Sequence, residues 1–293
     1  MDLKPTVAVV ILNWNKASLT RRCLECARSA TALNPLWIVV DNGSTPPMHD
    51  LPADVVLIRN DVNLGFAGGV NVGLRRAMAA GTDYFWLLNN DAEPLPGTLD
   101  MLVNAAQADP RIGLASPVIL NSDDNDAIDW HGSIWRDGVY DDTKDPDTYA
   151  SWLAQTPNQI CLTGTALLLT RRLIEKIGAF DERLFAYWED TDISLRAAAA
   201  GFRARVVSDA AVRHASGTEV LDAENRAPYY YYLMTRNELL VLRKTRAPMR
   251  TVYWMLRRAV RWWSKPGLNG RQRRAILRGV LDGLLGRGGA SPV

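Results

Sequence analysis

Apolar runs alternate with amphipathic segments over the first 90 residues of the chain. The continuous apolar runs are typical of strands buried on both faces, and they occupy residues 7–12, 36–40, 55–58 and 84–88. Helical patterns fill residues 18–30 and 68–80, and Gly81 ends the second of them. This strand–helix alternation predicts an α/β fold with a parallel sheet covered by helices.

The remainder of the chain has a less regular pattern. In chain order we predict a β-hairpin at 130–140 that turns at Asp137–Gly138, a strand at 160–170 broken by Gly164, a helix at 171–177, a helix that ends near Ala200, a strand at 203–207 with His214 a few residues beyond it, and helices from Tyr229 onward with breaks at Pro248 and Pro266.

Polar residues stand just past the ends of three predicted strands. These residues are Asn13, Asp41 and Asp91. Ligands of parallel α/β sheets bind at the carboxyl edge of the strands. The pattern therefore predicts a ligand site formed by these three side chains.

Length and composition fit one large α/β domain with an appendage. The chain has 293 residues, of which 47% are hydrophobic and 23% charged, as in ordinary globular proteins. It has neither an apolar stretch of roughly 18–20 residues, as a membrane span needs, nor a signal-peptide layout at its start, so we expect a cytoplasmic protein. Cys23 and Cys26 share a helix face without a second ligand pair, which favours structural thiols.

Charge is distributed unevenly along the chain. Residues 243–287 contain thirteen Lys and Arg and one acid, Asp282, whereas the rest has 21 basic and 31 acidic residues. Trp254, Trp262 and Trp263 are interleaved with these basic residues. Such amphipathic helices suit an anionic membrane surface; the alternative is a helical cap that packs on the catalytic body. Nucleic-acid binding uses similar composition, but we expect no nucleic acid as a partner.

Two segments of the first half fit a nucleotide. Asp41 could accept a hydrogen bond from a base or ribose, although Asp is also a common turn residue. Residues 63–69 (NLGFAGG) form a glycine-bearing loop that opens a helix at Asn71, and the amides of a helix start favour an anion. The loop matches neither the G-x-G-x-x-G nor the P-loop pattern, which disfavours dinucleotide oxidoreductases and P-loop phosphotransferases.

Two acidic clusters carry candidate chemistry. Asn89–Asn90–Asp91 offers oxygen ligands for Mg²⁺ or Mn²⁺, with Glu93 and His214 as further candidates, and an imidazole would favour Mn²⁺. The alternative is a strand-ending turn. Glu189–Asp190 follows Tyr187–Trp188, and partial burial beside aromatic rings would raise a carboxyl pKa toward that of a general base. The structural alternative there is helix capping by Asp190 or Asp192.

In this order, the segments resemble glycosyltransferase family 2, and most closely its rhamnosyltransferase-like bacterial branch, which acts in surface polysaccharide assembly. The similar stretches are 9–15 (VVILNWN), 38–45 (IVVDNGST), 60–73 (NDVNLGFAGGVNVG), 87–91 (LLNND), 163–168 (TGTALL), 178–183 (GAFDER) and 185–201 (FAYWEDTDISLRAAAAG). Any one of them is modest evidence, whereas the ordered set is highly specific.

The resemblance implies a GT-A fold, in which a Rossmann-like nucleotide-binding half and an acceptor half share a central mixed, mostly parallel sheet. On that basis we expect a catalytic domain at 1–225, with a nucleotide-sugar half at 1–110 and an acceptor half at 111–225. Residues 226–293 would form a basic amphipathic helical region.

The resemblance also implies an inverting transfer and assigns roles residue by residue. Asp190 would be the catalytic base and Glu189 its supporting neighbour. The residues expected to bind the nucleotide sugar are Asn13, Asp41, Asn63, Gly65, Asn71, Asn90 and Asp91. Asp91 and His214 would hold a divalent metal, Mg²⁺ or Mn²⁺. Trp188, Gly164 and Arg236 would contact the acceptor, with Arg236 at a diphosphate. One departure is Asn89, an amide at the first acidic position of the family's D-x-D motif, which implies weaker metal affinity.

Substrates follow from the resemblance alone. dTDP-rhamnose is the first choice of donor and a UDP-hexose the second, and the acceptor would be a glycan or a lipid-diphosphate-linked glycan. The enzyme would then be cytoplasmic, with peripheral association at the inner face of the cell membrane. An inactive sugar-nucleotide or polysaccharide-binding module is the alternative. A nucleotidyltransferase is disfavoured because residues 13–15 read Asn-Trp-Asn where a glycine-rich start is expected.

Overall fold

The computed structural model describes residues 5–214 and 226–292, and its centre is a nine-stranded mixed sheet. The strands of this sheet are β1 (Val7–Asn13), β2 (Leu36–Asn42), β3 (Val55–Asn60), β4 (Tyr84–Asn89), β5 (Ala92–Pro94), β6 (Ile112–Asn121), β7 (Ile128–Trp130), β11 (Ala166–Thr170) and β12 (Arg203–His214). A three-stranded sheet contains β8 (Gly132–Arg136), β9 (Val139–Thr143) and β10 (Ile160–Cys161).

Helices connect and cover these strands. They are α1 (Ala17–Ser29), α2 (Gly65–Ala79), α3 (Thr98–Ala108), α4 (Pro146–Gln155), α5 (Arg171–Ile177), α6 (Glu189–Ala199), α7 (Pro228–Lys244), α8 (Met249–Trp263) and α9 (Gly270–Leu285). The predicted α/β class is confirmed, because the sheet is mixed and mostly parallel.

The order of the strands locates the ligand edge. The large sheet runs β3-β2-β1-β4-β11-β6-β12-β5, and β7 pairs with β6. Strands β1 to β4 are parallel, whereas β11 is antiparallel to both β4 and β6. The chain leaves β1 toward β2 and β3 and returns to β4 on the other side of β1. Such a reversal creates a crevice at the carboxyl ends of the strands.

Strand register brings the predicted polar residues to that crevice. Asn13 of β1 pairs with Asp41 of β2, and Leu12 pairs with Asn89 of β4. Three strand ends therefore lie side by side. Beneath them the sheet is apolar, with Ile11, Ile38 and Trp86 buried among other core residues.

The last strand of the large sheet is longer than the sequence pattern predicts. The strand predicted from the sequence covers residues 203–207, with His214 a few residues beyond it. In the structure the register shifts between Val207 and Ala211 and pairing with β6 then resumes as far as His214. His214 is therefore fixed by strand pairing rather than by a loop.

The predicted hairpin and the predicted break at Gly164 are both present. Strands β8 and β9 turn at Asp137 and Gly138, which have φ of 52° and 84°, as a tight hairpin turn requires. The chain around Gly164 leaves the small sheet at β10 and joins the large sheet at β11. The hairpin also contacts α8, since the Thr251 hydroxyl donates to the Asp137 carbonyl over 2.6 Å.

The C-terminal helices pack on the body through apolar clusters. Tyr231 and Leu233 of α7 meet Ala275 and Ile276 of α9 in one cluster, and Leu239 joins a second that contains Trp135. Within the described residues, no helix combines the length and hydropathy that crossing a bilayer requires.

Candidate active site

At the ends of β1 and β2, Asn13 and Asp41 form a buried hydrogen-bonded pair. The Asn13 amide donates to Asp41 Oδ1 and to Ser44 Oγ, each over 3.1 Å, while its oxygen accepts from the Thr20 hydroxyl over 2.8 Å. Asn13 is fully buried. Asn13 therefore links the end of β1 to the end of β2 and to α1 beneath the surface of the crevice.

Asp41 is also fully buried, and its second oxygen is occupied. Oδ2 accepts from the Met48 amide over 3.0 Å and from the Arg59 guanidinium over 2.5 Å. Burial alone would raise the pKa of Asp41, but hydrogen bonds from Ser44 and the Met48 amide outweigh it and lower the pKa. A nucleotide base would reach this carboxylate only if Arg59, which is 41% exposed, moved aside.

The glycine-bearing loop is organised by Asn42, a residue that sequence analysis did not single out. Its amide nitrogen donates to Asn63 Oδ1 over 2.9 Å and to the Gly65 carbonyl over 3.0 Å. Its oxygen accepts from the Leu64 amide over 3.1 Å. Asn63 in turn accepts from the Gly65 amide over 2.8 Å. Asn63 and Gly65 thus lie together at the crevice as expected, and Asn42 fixes their conformation.

Gly65 meets the segment that precedes α6. Its φ is +75°, and a Cβ at this position would lie 2.4 Å from the Phe185 carbonyl oxygen. The same carbonyl accepts a hydrogen bond of 3.1 Å from the Ala67 amide in the first turn of α2. One of the helix-start amides expected to face an anion is therefore bonded to the protein itself.

Asn71, an expected nucleotide-sugar contact, forms its hydrogen bonds within the protein. Its amide nitrogen donates to the Phe180 carbonyl and to Glu182 Oε1, both over 2.9 Å, and its oxygen accepts from the Phe180 amide over 3.1 Å. Asn71 is 3% exposed. This side chain therefore joins α2 to the 180–182 segment, and we leave Asn71 out of the donor site that we propose below.

Asp91 and His214, the pair expected to bind a metal, are neighbours. Antiparallel pairing of β5 with β12 sets His214 opposite Ala92, and His214 Nε2 lies 3.1 Å from Asp91 Oδ1. That oxygen is buried, and no described group forms an aligned hydrogen bond to it. Burial favours a higher pKa for Asp91, but His214 outweighs burial and lowers it. Elsewhere at this edge, the Asn90 amide donates to the Thr20 hydroxyl over 3.2 Å.

Within the part of the chain that the structure describes, no third His, Cys, Asp or Glu completes a metal site with this pair. Glu93 forms a salt bridge of 2.7 Å with Arg22. Among residues 5–214 and 226–292, no group of three His, Cys, Asp or Glu has the spacing to hold a metal ion. Asp91 and His214 offer one oxygen and one nitrogen donor, a set that fits Mn²⁺ better than Mg²⁺.

Glu189 and Asp190 open α6. The N-cap residue is Trp188, which has a left-handed φ of 73° and makes no side-chain cap, so Asp190 is not the capping residue. Asp190 Oδ1 accepts from the Thr191 amide over 2.6 Å, and Oδ2 accepts from the Gly164 amide over 3.0 Å. Asp192 instead forms salt bridges with Arg196 and Lys244.

Both carboxyl groups have raised pKa values. Burial raises the pKa of Glu189 well above its usual value, and the charge of Asp190 raises it further. Glu189 is 7% exposed, and its Oε2 has no hydrogen-bond partner among the described residues. Loss of hydration also raises the pKa of Asp190, although the amides of Gly164 and Thr191 favour the charged form. Raised carboxyl pKa values are what general bases need near neutral pH.

A short backbone segment connects Asp190 to the end of β4. Gly164 donates to Asp190, and the carbonyl of the next residue, Thr165, accepts from the Asn89 amide over 2.9 Å. Asn89 precedes Asp91 by two residues. The two acidic clusters are therefore attached to the same four-residue segment, residues 162–165, between β10 and β11.

Aromatic rings surround Trp188. Its ring makes edge contacts with Trp135 at 6.1 Å and with Tyr140 at 5.9 Å between centroids. Burial raises the pKa of the Tyr140 hydroxyl, and the charge of Asp190 adds to the shift. Sequence analysis identified the hairpin that carries Trp135 and Tyr140 but gave them no role. Their aromatic character within a predicted hairpin was the available signal.

Arg236 does not have the environment of a diphosphate-binding side chain. It is fully buried, and its guanidinium donates to the carbonyls of Arg183, Leu184 and Gly289 over 2.6–3.1 Å and to Asn237 Oδ1 over 2.8 Å. Its donors are occupied by the protein. A diphosphate would contact Arg236 only if these bonds were broken, so we leave Arg236 out of the acceptor site that we propose below.

The chain is similar to known glycosyltransferases. The family model of Glycosyl transferase family 2 matches residues 8–178, which ends before Glu189 and Asp190. Galactofuranosyltransferase GlfT1 of Mycolicibacterium smegmatis is 26% identical over 226 residues, covering 73% of this chain and 72% of that protein. An N-acetylglucosaminyl-diphospho-decaprenol L-rhamnosyltransferase of Mycobacterium tuberculosis is 26% identical over 245 residues, covering 73% and 76%.

The fold is similar to that of solved GT-A glycosyltransferases. GalNAc-T7, solved with UDP, GalNAc and Mn²⁺, superposes with a TM-score of 0.60 at 16% identity, over 83% of this chain and 48% of that one. This chain thus spans about half the length of that protein. Because the family match extends over more than half of its residues, the chain belongs to glycosyl transferase family 2 and is a glycosyltransferase with the GT-A fold.

Proposed function

We propose that the protein transfers a sugar, with inversion at the anomeric carbon, from a nucleotide-sugar donor to a hydroxyl group of a glycan or lipid-linked glycan. The observation that carries this proposal is the position of Asp190. Its carboxyl group has a raised pKa and hydrogen bonds to Gly164, beside the segment that contacts the carboxyl end of β4. Donor and base would therefore occupy one crevice.

Asp190 would act as the general base. The acceptor oxygen forms a bond to the anomeric carbon as the bond from that carbon to the diphosphate oxygen breaks, and Asp190 takes the acceptor proton. The amides of Gly164 and Thr191 orient the carboxylate without using all of its lone pairs. Trp188 and Gly164 would line the acceptor side, with Tyr140 as a further wall.

Asp91 and His214 would hold the divalent metal. The buried Oδ1 of Asp91 and the imidazole nitrogen 3.1 Å from it fit a cation that accepts one oxygen and one nitrogen ligand. When bound, such an ion neutralises the negative charge of a nucleotide diphosphate. Asn89 contributes at most an amide oxygen, which is consistent with modest affinity.

The donor side would be formed by Asn13, Asp41, Asn63, Gly65 and Asn90. Direct contact of Asp41 with a base requires displacement of Arg59, because the carboxylate is otherwise enclosed. Asn13 and Asn90 stand at the ends of β1 and β4, whereas Asn63 and Gly65 belong to the glycine-bearing loop at the start of α2. Residues 1–225 would be the catalytic domain, with donor and acceptor halves at 1–110 and 111–225.

dTDP-rhamnose is the donor that we propose first, with UDP-hexoses second. The M. tuberculosis relative is named as an L-rhamnosyltransferase that acts on N-acetylglucosaminyl-diphospho-decaprenol, which supports both rhamnose and a lipid-diphosphate acceptor. The M. smegmatis relative is named as a galactofuranosyltransferase, so a hexose donor is the specific alternative. Both relatives support a role in cell-surface polysaccharide synthesis.

A donor screen tests this proposal. The full chain with Mn²⁺ would be incubated with dTDP-rhamnose, UDP-galactofuranose and UDP-glucose, first by thermal shift and then by release of the nucleotide diphosphate with a saccharide acceptor. We expect stabilisation and turnover with dTDP-rhamnose and a product of inverted anomeric configuration by NMR. Binding without turnover for every donor would favour the inactive sugar-nucleotide-binding module, and retained configuration would exclude direct displacement by the acceptor.

The basic helical region, residues 226–293, is proposed to associate with an anionic membrane at the cytoplasmic face. On α8 the exposed side chains include Tyr253, Trp254 and Val260, and Arg257 lies over the Trp254 ring at 5.2 Å. Apolar and basic groups on one exposed surface suit anionic lipid. Part of the region packs on the body as well, since the Thr251 hydroxyl of α8 donates to the Asp137 carbonyl over 2.6 Å.

Vesicle sedimentation at physiological salt tests the membrane proposal. Binding to vesicles that contain phosphatidylglycerol is expected to exceed binding to pure phosphatidylcholine. The double variant Arg257→Gln/Arg261→Gln should lose binding, whereas Arg75→Gln/Arg76→Gln on α2 removes the same charge elsewhere and should retain it. Equal sedimentation of all proteins with both vesicle types would reject the proposal.

A further inference from the structure

The segment that leads into Asp190 has an unfavourable backbone conformation. Phe185, Tyr187 and Trp188 all have positive φ, at 63°, 68° and 73°. Bulky L-residues rarely adopt this conformation, and each costs on the order of 1–3 kcal/mol unless surrounding contacts hold it. Because Trp188 is the N-cap residue of α6, the conformation of this segment sets the direction in which Glu189 and Asp190 leave the loop.

A buried amide on α7 holds this segment. Asn237 is fully buried, and its Nδ2 lies 2.7–2.8 Å from the carbonyl oxygens of Leu184, Ala186 and Tyr187. Its Oδ1 accepts from Arg236 Nε over 2.8 Å. Since a guanidinium can only donate, this contact fixes the amide with its N–H groups toward the loop.

The other carbonyls of the segment are also bonded from outside it. Arg183 and Leu184 accept from Arg236 over 3.1 and 3.0 Å, and Phe185 accepts from Ala67 of α2 over 3.1 Å. All five carbonyls of residues 183–187 therefore meet donors on α7 or α2. A strained loop persists where neighbouring structure determines it in this way.

We infer that Asn237, oriented by Arg236, is a positioning residue for the catalytic carboxylate: it holds residues 184–187 in their strained conformation and so aims Asp190 at the acceptor. The inference rests on the proposed role of Asp190. It makes α7, which lies beyond the matched family region of residues 8–178, a part of the catalytic machinery. The helix touches neither donor nor acceptor in this role and acts through the loop backbone.

The variant Asn237→Asp tests the inference because it keeps size while removing the N–H donors. Thr235→Val is the matched control, since Thr235 is equally buried on the same helix and bonds to the Tyr231 carbonyl within α7. Hydrogen exchange of the full-length protein is expected to show faster exchange for residues 183–190 in Asn237→Asp and no change there in Thr235→Val. This measurement needs no substrate.

Kinetics with the donor found by the screen form the second arm. A misplaced base costs on the order of 100-fold in rate, so the kcat of Asn237→Asp should fall by about that factor while its donor KM stays within about twofold of wild type. The kcat of Arg236→Lys should fall less, because lysine keeps the positive charge. The acid limb of the pH–rate profile of Asn237→Asp should move to lower pH, because Asp190 becomes more exposed to solvent.

Unchanged loop exchange and wild-type kcat in Asn237→Asp would overturn the inference, as would an equal loss of kcat in Thr235→Val. If the loop exchanges faster in Asn237→Asp but an Asp190→Asn variant remains fully active, then Asp190 is not the base and the inference fails. In that case the faster exchange still shows that Asn237 holds the loop. If Asn237→Asp does not fold, Arg236→Lys decides both arms by the same criteria.

Discussion

The backbone amide of Gly164 donates a 3.0 Å hydrogen bond to Asp190 Oδ2. A Cβ at position 164 would lie 3.7 Å from the Asp190 Cβ and 3.7 Å from Phe66, at ordinary contact distances, so residue 164 packs directly against the side chain of Asp190. The neighbouring Thr165 carbonyl bonds to Asn89 at the end of β4. Gly164 and Thr165, two consecutive residues, therefore connect the proposed base Asp190 to the end of β4, where the donor would bind.

The pH dependence of kcat should report a carboxyl group with a raised pKa. Asp190 must be deprotonated to act, and loss of hydration raises its pKa above the ordinary value of about 3.9. The rate should therefore fall as pH decreases through that higher pKa, measured as kcat from about pH 4 to about pH 9. A rate that stays constant down to the lowest pH would contradict the raised pKa.

Glu189→Gln should stabilise the protein at alkaline pH. Because burial raises the pKa of Glu189, the folded state binds its proton more tightly than the unfolded state, and stability is lost as pH rises through the folded-state pKa. Glutamine removes this penalty, so Tm should rise by a few degrees near pH 8 and change little near pH 4. Glu25→Gln, at an exposed position on α1, is the control. An unchanged or lower Tm at alkaline pH would argue against an ionisable, buried Glu189.

Removal of the His214 imidazole should raise the metal requirement. His214→Ala and Asp91→Asn each remove one of the two side chains 3.1 Å apart at the β5–β12 pairing. The Mn²⁺ concentration for half-maximal activity should increase by about 10–100-fold or more, with a smaller effect on folding. His49→Ala, at an exposed position, should leave the requirement unchanged. The same Mn²⁺ dependence in all four proteins would rule out this metal pair.

Gly65→Ala should destabilise the protein more than Gly81→Ala. Both glycines have positive φ, at +75° and +80°, so the conformational cost of about 1–2 kcal/mol is shared. Only at Gly65 would the new Cβ lie 2.4 Å from the Phe185 carbonyl, whereas nothing lies within 4 Å at Gly81. Urea unfolding measures the difference. Equal loss of stability would show that the contact between the donor loop and the catalytic loop relaxes easily.

Much of the site was predictable because it depends on strand ends and on local motifs. Apolar runs placed Asn13, Asp41 and Asp91 at one edge, and the parallel registers confirm that Asn13 and Asp41 are adjacent. His214 was a candidate ligand from its residue type, and the family resemblance paired it with Asp91. Its position beside Asp91 depends on a register shift in β12 that no local pattern encodes. The roles proposed for Glu189 and Asp190 remain predictions.

The remaining features depend on tertiary partners. Asn71 and Arg236 are polar side chains in suitable segments, but each bonds to the 180–184 region, which is distant in sequence. Asn42 and Asn237, conversely, have roles in the structure that the sequence did not predict. A buried amide that satisfies several backbone groups has no distinctive spacing, so sequence reasoning gave neither residue a role.

The turnover of Asp190→Asn tests the account most directly. The substitution preserves shape while removing the base, and general-base catalysis contributes about 10²–10⁴-fold. We predict that kcat falls within that range while the nucleotide diphosphate of the donor, titrated with Mn²⁺ by calorimetry, binds as it does to the wild-type protein. A kcat of Asp190→Asn within about threefold of the wild-type kcat, far less than the loss expected when a general base is removed, would contradict the central claim that Asp190 takes the acceptor proton.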